Sequence, residues 1–227
     1  MATSGSRDFE PDVAEYVEEA FERCGLEYRT GYDGYTARRS LNLLFADWAN
    51  RGLNQWTINN SNTALTKGLT YVDLDAYTID VLDVVLRRAN DDGTDRDYQL
   101  TQIGRAEYWN IPSKSTEARP TQWFLDKQIT PRLYFWPASE NATDKLYMNR
   151  LIRIEDADAA INTVNMPFRF YPCLAAGLAY YIAMKRAPDR IEFLKSIYEE
   201  EFARASDQDE SRASLMVAPA LRSYKRA

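Results

Sequence analysis

The sequence predicts an α+β chain: a four-helix unit built from both chain ends, an inserted, mostly antiparallel β domain, and an extended C-terminal tail. Three observations carry this. Apolar residues recur at helical spacing in two separated regions, 11–51 and 167–205. Between them, from Asn54 to Ile154, the pattern turns to short β-branched and aromatic runs punctuated by glycine, proline and Asn-Asp clusters. Beyond residue 206 neither period persists. The expected divisions are a flexible N-terminus at 1–10, the first half of the helical unit at 11–53, the β insertion at 54–158, the second helical half at 159–206, and the tail at 207–227.

Taken in order, residues 1–9 are mostly small and polar and are expected to be disordered until something holds them. Pro11 is suited to the first turn of a helix, where Glu10 and Asp12 face the positive end of its dipole. Val13, Val17, Ala20, Phe21 and Cys24 form its apolar face, and Gly25 ends it. A link with three glycines leads to a second helix, over 36–51. Its stripe is Ala37, Leu41, Leu44, Phe45 and Trp48; Thr36 is read as its N-cap and Gly52 as its left-handed C-cap. Trp56 and Ile58 then alternate with polar neighbours, as in a strand.

In the β region, Leu69 to Leu74 reads as a strand and Ile79 to Leu86 as one buried on much of both faces. Asn90-Asp91-Asp92-Gly93 is a turn, and Ile103 to Asn110 a short helix stopped by Pro112. Residues 121–126 and 132–137 read as a hairpin with a wide loop. Asp144 to Ile154 supplies another strand, Leu146 and Met148 alternating with Tyr147 and Asn149. The expected unit is a small sandwich or open barrel.

Pro167 opens the second helical region. Leu174, Leu178, Tyr181 and Ile182 mark one stripe, and Ala175, Ala176, Gly177 and Ala179 are small enough for close helix contact. Pro188 breaks this helix and a last one follows, over 189–205, with Ile191, Leu194, Ile197 and Tyr198 inward and Glu199-Glu200-Glu201 solvated. Each helix pair has a single apolar face, so the pairs are expected to meet around Val17, Phe21, Leu41, Leu44, Trp48, Leu178 and Leu194.

Composition narrows the chemistry. The chain has no histidine and two cysteines, Cys24 and Cys173, so Ser-His-Asp and Cys-His catalysis and the usual zinc sets lack their residues. Both cysteines are read as small buried apolar residues. No phosphate-loop spacing and no Gly-x-Ser-x-Gly occur. Clustered acids such as Glu155, Asp156 and Asp158, or Asp91 and Asp92, leave sugar acid–base chemistry open by residue type alone. Acids clustered in turns are far more often solvated than catalytic, so an enzyme is not expected, and no cofactor is implied. Trp109, Trp123, Phe124, Tyr134, Phe135 and Trp136 give either a stacking platform or the core of a small sheet domain; the core is favoured. The net charge of −6 argues against a general nucleic-acid binder. The most apolar stretch, Cys173 to Met184, is too short for a bilayer span, and no membrane partner is expected.

Residues 38–58, RRSLNLLFADWANRGLNQWTI, resemble the second helix of the head-to-tail adaptors of short-tailed phages, also termed tail tubular protein A or head completion proteins. IDVLDVVLRR at 79–88, ARPTQWFLD at 118–126, LYFWPA at 133–138 and PCLAAGLAYYIAMKRAPDRI at 172–191 resemble further parts of that family, in order, so the likeness covers most of 12–205. It implies a structural virion protein at the head–tail junction, assembled in the host cytoplasm. The implied partners are the portal, neighbouring copies in a twelve-fold ring, and a tail tube or nozzle protein below. DNA would pass through the channel without sequence-specific binding, and acidic walls would not retain it. The tail is then the expected portal anchor, with Leu215, Met216, Val217 and Leu221 supplying burial and Arg212, Arg222, Lys225 and Arg226 meeting portal acids, beside Tyr224. The alternative is a carbohydrate-binding or glycan-cleaving virion protein, which requires an exposed aromatic groove or a close carboxylate pair.

Overall fold

A computed structural model describes residues 5–29, 31–51, 55–89 and 94–209. The chain is α+β. Helices α1 (Val13–Arg23), α2 (Tyr32–Arg51), α4 (Tyr171–Arg186) and α5 (Ile191–Asp209) come from the two ends, and among the described residues ten strands with the short helix α3 (Arg105–Asn110) lie between them.

The first helix starts later than its proline suggests. Asp12 is the N-cap: its carboxylate accepts from the Glu15 amide at 2.9 Å, and the Glu15 carboxylate accepts from the Asp12 amide at 3.0 Å. This reciprocal capping box satisfies two free amide donors, which Pro11 in the first turn would not, so the proline stands just outside. Gly25 ends α1 with φ +67°, a conformation that favours glycine.

The second helix starts earlier than expected, at Tyr32, and Thr36 lies inside it. Asp33 decides this. It is buried, accepts from the Arg29 amide at 3.2 Å and pairs with Arg186 of α4 at 2.6 Å, so a contact 153 residues away in sequence fixes the first turn. After α2 the chain makes a 3-10 turn at Gln55–Thr57 where a strand was expected, and β1 (Ile58–Ala64) begins at Ile58. The turn lets Trp56 pack on Phe170, with ring centroids 4.3 Å apart. Gly52 and the turn at 90–93 lie outside the described residues.

One antiparallel sheet has the order β1-β10-β3-β4, built from β1, β10 (Lys145–Ile152), β3 (Thr78–Ala89) and β4 (Asp95–Gln99). A second has the order β2-β8-β7-β5. In it β2 (Tyr71–Asp73), β8 (Arg132–Trp136) and β7 (Gln122–Asp126) pair antiparallel, while β5 (Thr101–Gln102) joins β7 in parallel. Two-residue strands β6 (Glu117–Ala118) and β9 (Ala138–Ser139) make a parallel pair. Val81, Val84, Leu86, Leu146 and Met148 of the first sheet share one buried cluster with Trp123, Leu125, Leu133 and Phe135 of the second. Strand β3 is covered completely on that face only; Ile79, Leu82 and Val85 opposite are half-buried.

Strand β10 alternates as expected through Met148, then shifts register between Asn149 and Arg150. The extra residue there belongs to β3, and Arg150 keeps the inward parity of Leu146 and Met148; it donates to Asp75 at 2.9 Å and to the Thr78 hydroxyl at 3.3 Å. The last helix runs to Asp209, past the expected limits at 205–206, so residues 207–209 belong to it and not to the tail.

Candidate interaction surfaces

Val17, Phe21, Leu41, Leu44, Trp48, Leu178 and Leu194 all lie in one buried cluster contributed by α1, α2, α4 and α5. Helix α4 is its centre: Cys173 through Ala179 are consecutively buried, so the helix is covered all round along that stretch. At Gly177, side chains of both α2 and α5 close on α4. A methyl group there would sit 2.9 Å from Leu44 Cδ2 and 2.9 Å from Tyr198 Cε2.

A polar chain runs along the α2–α5 contact. The Trp48 indole donates to the Tyr198 hydroxyl, which donates to Asp47 at 3.2 Å. Arg51 donates to Asp47 at 2.7 Å and, through both terminal nitrogens, to Glu199 at 2.7 and 3.0 Å, its guanidinium lying over the Tyr198 and Phe202 rings. Burial pushes the Tyr198 phenol far above its ordinary range, and the Arg51 hydrogen bonds hold the Glu199 carboxyl below its own. Glu199 is thus a partner of α2 as well as part of an exposed acidic face. The burial of Tyr198 was legible in the helical stripe; its hydrogen bonds to residues 151 and 150 positions earlier were not.

The other functional feature that spacing missed is the end of α5. Asp209 is buried, accepts from the Gln55 amide at 2.7 Å and pairs with Arg169. It ties the last helical turn to both the α2–β1 connection and the turn before α4. This fixes where residues 210–227 leave the helical unit. Arg212, Leu215, Met216, Val217, Leu221, Arg222, Tyr224, Lys225 and Arg226, the expected portal contacts, lie outside the described residues.

The β unit uses its aromatic side chains chiefly for packing. Trp123, Phe124 and Phe135 are buried, and Tyr134 and Trp136 half-buried. Tyr108, Phe124 and Tyr134 form a triangle of mutually touching rings, with centroids 5.8, 6.1 and 5.2 Å apart, and Tyr108 is itself buried. Trp109 is exposed, at right angles to Tyr108. These rings do not present an open row for a flat ligand. At the tip of the β7–β8 loop Ile129 is 95% exposed, a lone apolar side chain that periodicity does not single out.

Glu155, Asp156 and Asp158 line a polar hollow beside Asn162, each exposed, and Asp156 is paired with Arg153 at 2.7 Å. Cys24 and Cys173 are free thiols buried within the helical cluster, and burial pushes Cys173 up to about 12. Among the described residues no group of acids and cysteines is arranged to hold a metal ion, and no helix is long and apolar enough to cross a membrane.

Comparison with protein-family models and with curated protein sequences gives no match.

Proposed function

We propose that this chain is a structural virion protein, an adaptor whose copies form a ring under a phage portal, extend the DNA channel and carry the tail components below. The observation that carries the reading is the ordered run of segments within 12–205 that resembles such adaptors, from the α2 region through the β unit to α4. The architecture supports it: helices from both chain ends share one core, and the β unit is inserted between them. The Asp209 tie supports it as well, since an anchoring segment works best when it leaves a rigid body at a fixed place. Residues 210–227 then bind the portal, and the ring forms because portal sites hold neighbouring copies at high effective concentration. A net charge of −6 suits a channel wall past which DNA slides.

The test is sedimentation of the purified protein with and without portal rings. Alone at micromolar concentration it should sediment as a monomer; with rings it should co-sediment, saturating at a fixed number of copies per ring. Deleting 210–227 should abolish decoration and leave the melting temperature nearly unchanged. Absence of co-sedimentation by the full chain would overturn the adaptor reading, and undiminished decoration by the truncated chain would move the anchor to the folded body.

A further inference from the structure

A groove lined by Phe9, Pro11, Tyr16, Phe168, Tyr171 and Pro172 joins the N-terminal ends of α1 and α4. Phe9 and Phe168 are 70% and 73% exposed, which is unusual for large rings beside an apolar floor. Two acids, Glu15 and Glu19, line the same groove, and Glu10 is close enough to act on the Tyr171 phenol; Arg23, paired with Glu19, is the one base there among the described residues. Tyr16 is buried, and its hydroxyl finds no hydrogen-bond partner among the described residues.

What could fill this groove is constrained by the other end of the molecule. Asp209 pairs with Arg169, next in sequence to Phe168, so α5 ends against the turn that carries one of the groove's rings. Eighteen residues, 210–227, follow. Leu215 is six residues on, a reach of about 20 Å when extended, which is ample. From Ser211 onward the segment contains Arg212, Arg222, Lys225 and Arg226 and no acid, and its centre is Leu-Met-Val-Ala-Pro-Ala-Leu. An apolar centre with basic flanks complements an aromatic floor with acidic neighbours, and Pro219 favours the extended backbone that aromatic and proline surfaces accept.

We propose that residues 211–222 of the same chain occupy this groove in the free protein, Leu215, Met216 and Val217 against the rings and the basic residues toward Glu10, Glu15 and Glu19. The contact shields the most apolar part of the C-terminal segment until a stronger site displaces it. This goes beyond the adaptor reading and needs no portal, so its test stands apart from that one.

Trypsin cleavage of the full chain after Arg222 and Lys225, followed by mass spectrometry, reads the occupancy directly. Cleavage tracks the population of the released segment when release is fast. The wild-type chain should be cut about tenfold more slowly than Phe168→Glu and Phe9→Glu. Both substitutions fall on exposed side chains, so the fold is kept, which far-ultraviolet circular dichroism checks. Protection should be the same from 0.1 to 10 times a starting concentration of about 1 μM, as an intramolecular contact requires. Equal rates in the wild type and both variants would overturn the proposal. Protection that grows with concentration would overturn it too, by placing the segment on another copy.

Discussion

The indole nitrogen of Trp48 donates to the hydroxyl of Tyr198 at 2.9 Å, with both side chains fully buried. This bond joins α2 to α5 across the middle of the helical core, and 150 residues of chain separate its ends. Tyr198→Phe leaves the indole donor buried without its acceptor, and should cost about 1–3 kcal/mol. In Trp48→Phe the donor goes as well, so a double-mutant cycle in urea should show positive coupling between the two positions. A Tyr198→Phe cost below about 0.5 kcal/mol would mean that the bond is dispensable.

Gly177→Ala separates local preference from packing. Alanine in a helix interior is worth about 1 kcal/mol over glycine. Here the added methyl would press on Leu44 and Tyr198 at 2.9 Å each, and overpacking of a tight core typically costs about 1–3 kcal/mol. The variant should therefore be less stable than wild type, read as a lower urea midpoint with unchanged slope. A higher midpoint would show that α2 and α5 yield easily.

Asp209→Ala removes the acceptor of the Gln55 amide and the partner of Arg169. The expected loss is about 1–2 kcal/mol, concentrated locally. Hydrogen exchange should speed up at Gln55 and over the last turn of α5 while the centre of α4 stays protected. Uniform acceleration across the protein would show instead that the tie supports the global fold.

Burial raises the Cys173 thiol to about 12 and raises Cys24 as well, so both thiols should resist a thiol reagent at pH 8 until the protein unfolds. The sign for stability follows. The folded value lies above the unfolded one, so the contribution is complete below the ordinary thiol range and is lost as pH rises toward about 12, because the unfolded chain ionises first. Cys173→Ala should melt lower at neutral pH, yet lose less with each further unit of alkalinity. Tyr16 has the same sign in both proteins and cancels in the comparison, while Tyr198, raised chiefly by burial and slightly by Cys173, keeps its sign in the variant. Parallel wild-type and variant curves would show that the thiol does not contribute.

Local signals sufficed where one period dominates a long stretch. The stripes through Leu41, Leu44 and Trp48 and through Leu174 and Leu178, the alternation at Leu146 and Met148, and the prolines flanking the β7–β8 hairpin all act over a few residues, and those residues alone determined helix, strand and turn. The candidate site was less legible. Glu10, Glu15, Phe168 and Tyr171 can each be read, but nothing in the chain's order says that α1 and α4 open a groove between them. Tertiary structure alone decided the points at which a charge found a distant partner. Asp33 started α2 early because Arg186 lay opposite, Asp209 carried α5 past its last apolar residue because Gln55 and Arg169 were there to hold it, and Arg150, inward by its place in the alternation, was matched by Asp75 and Thr78. A buried charge is costly until it is paired, and the pairing partner is fixed by the folded arrangement rather than by spacing along the chain.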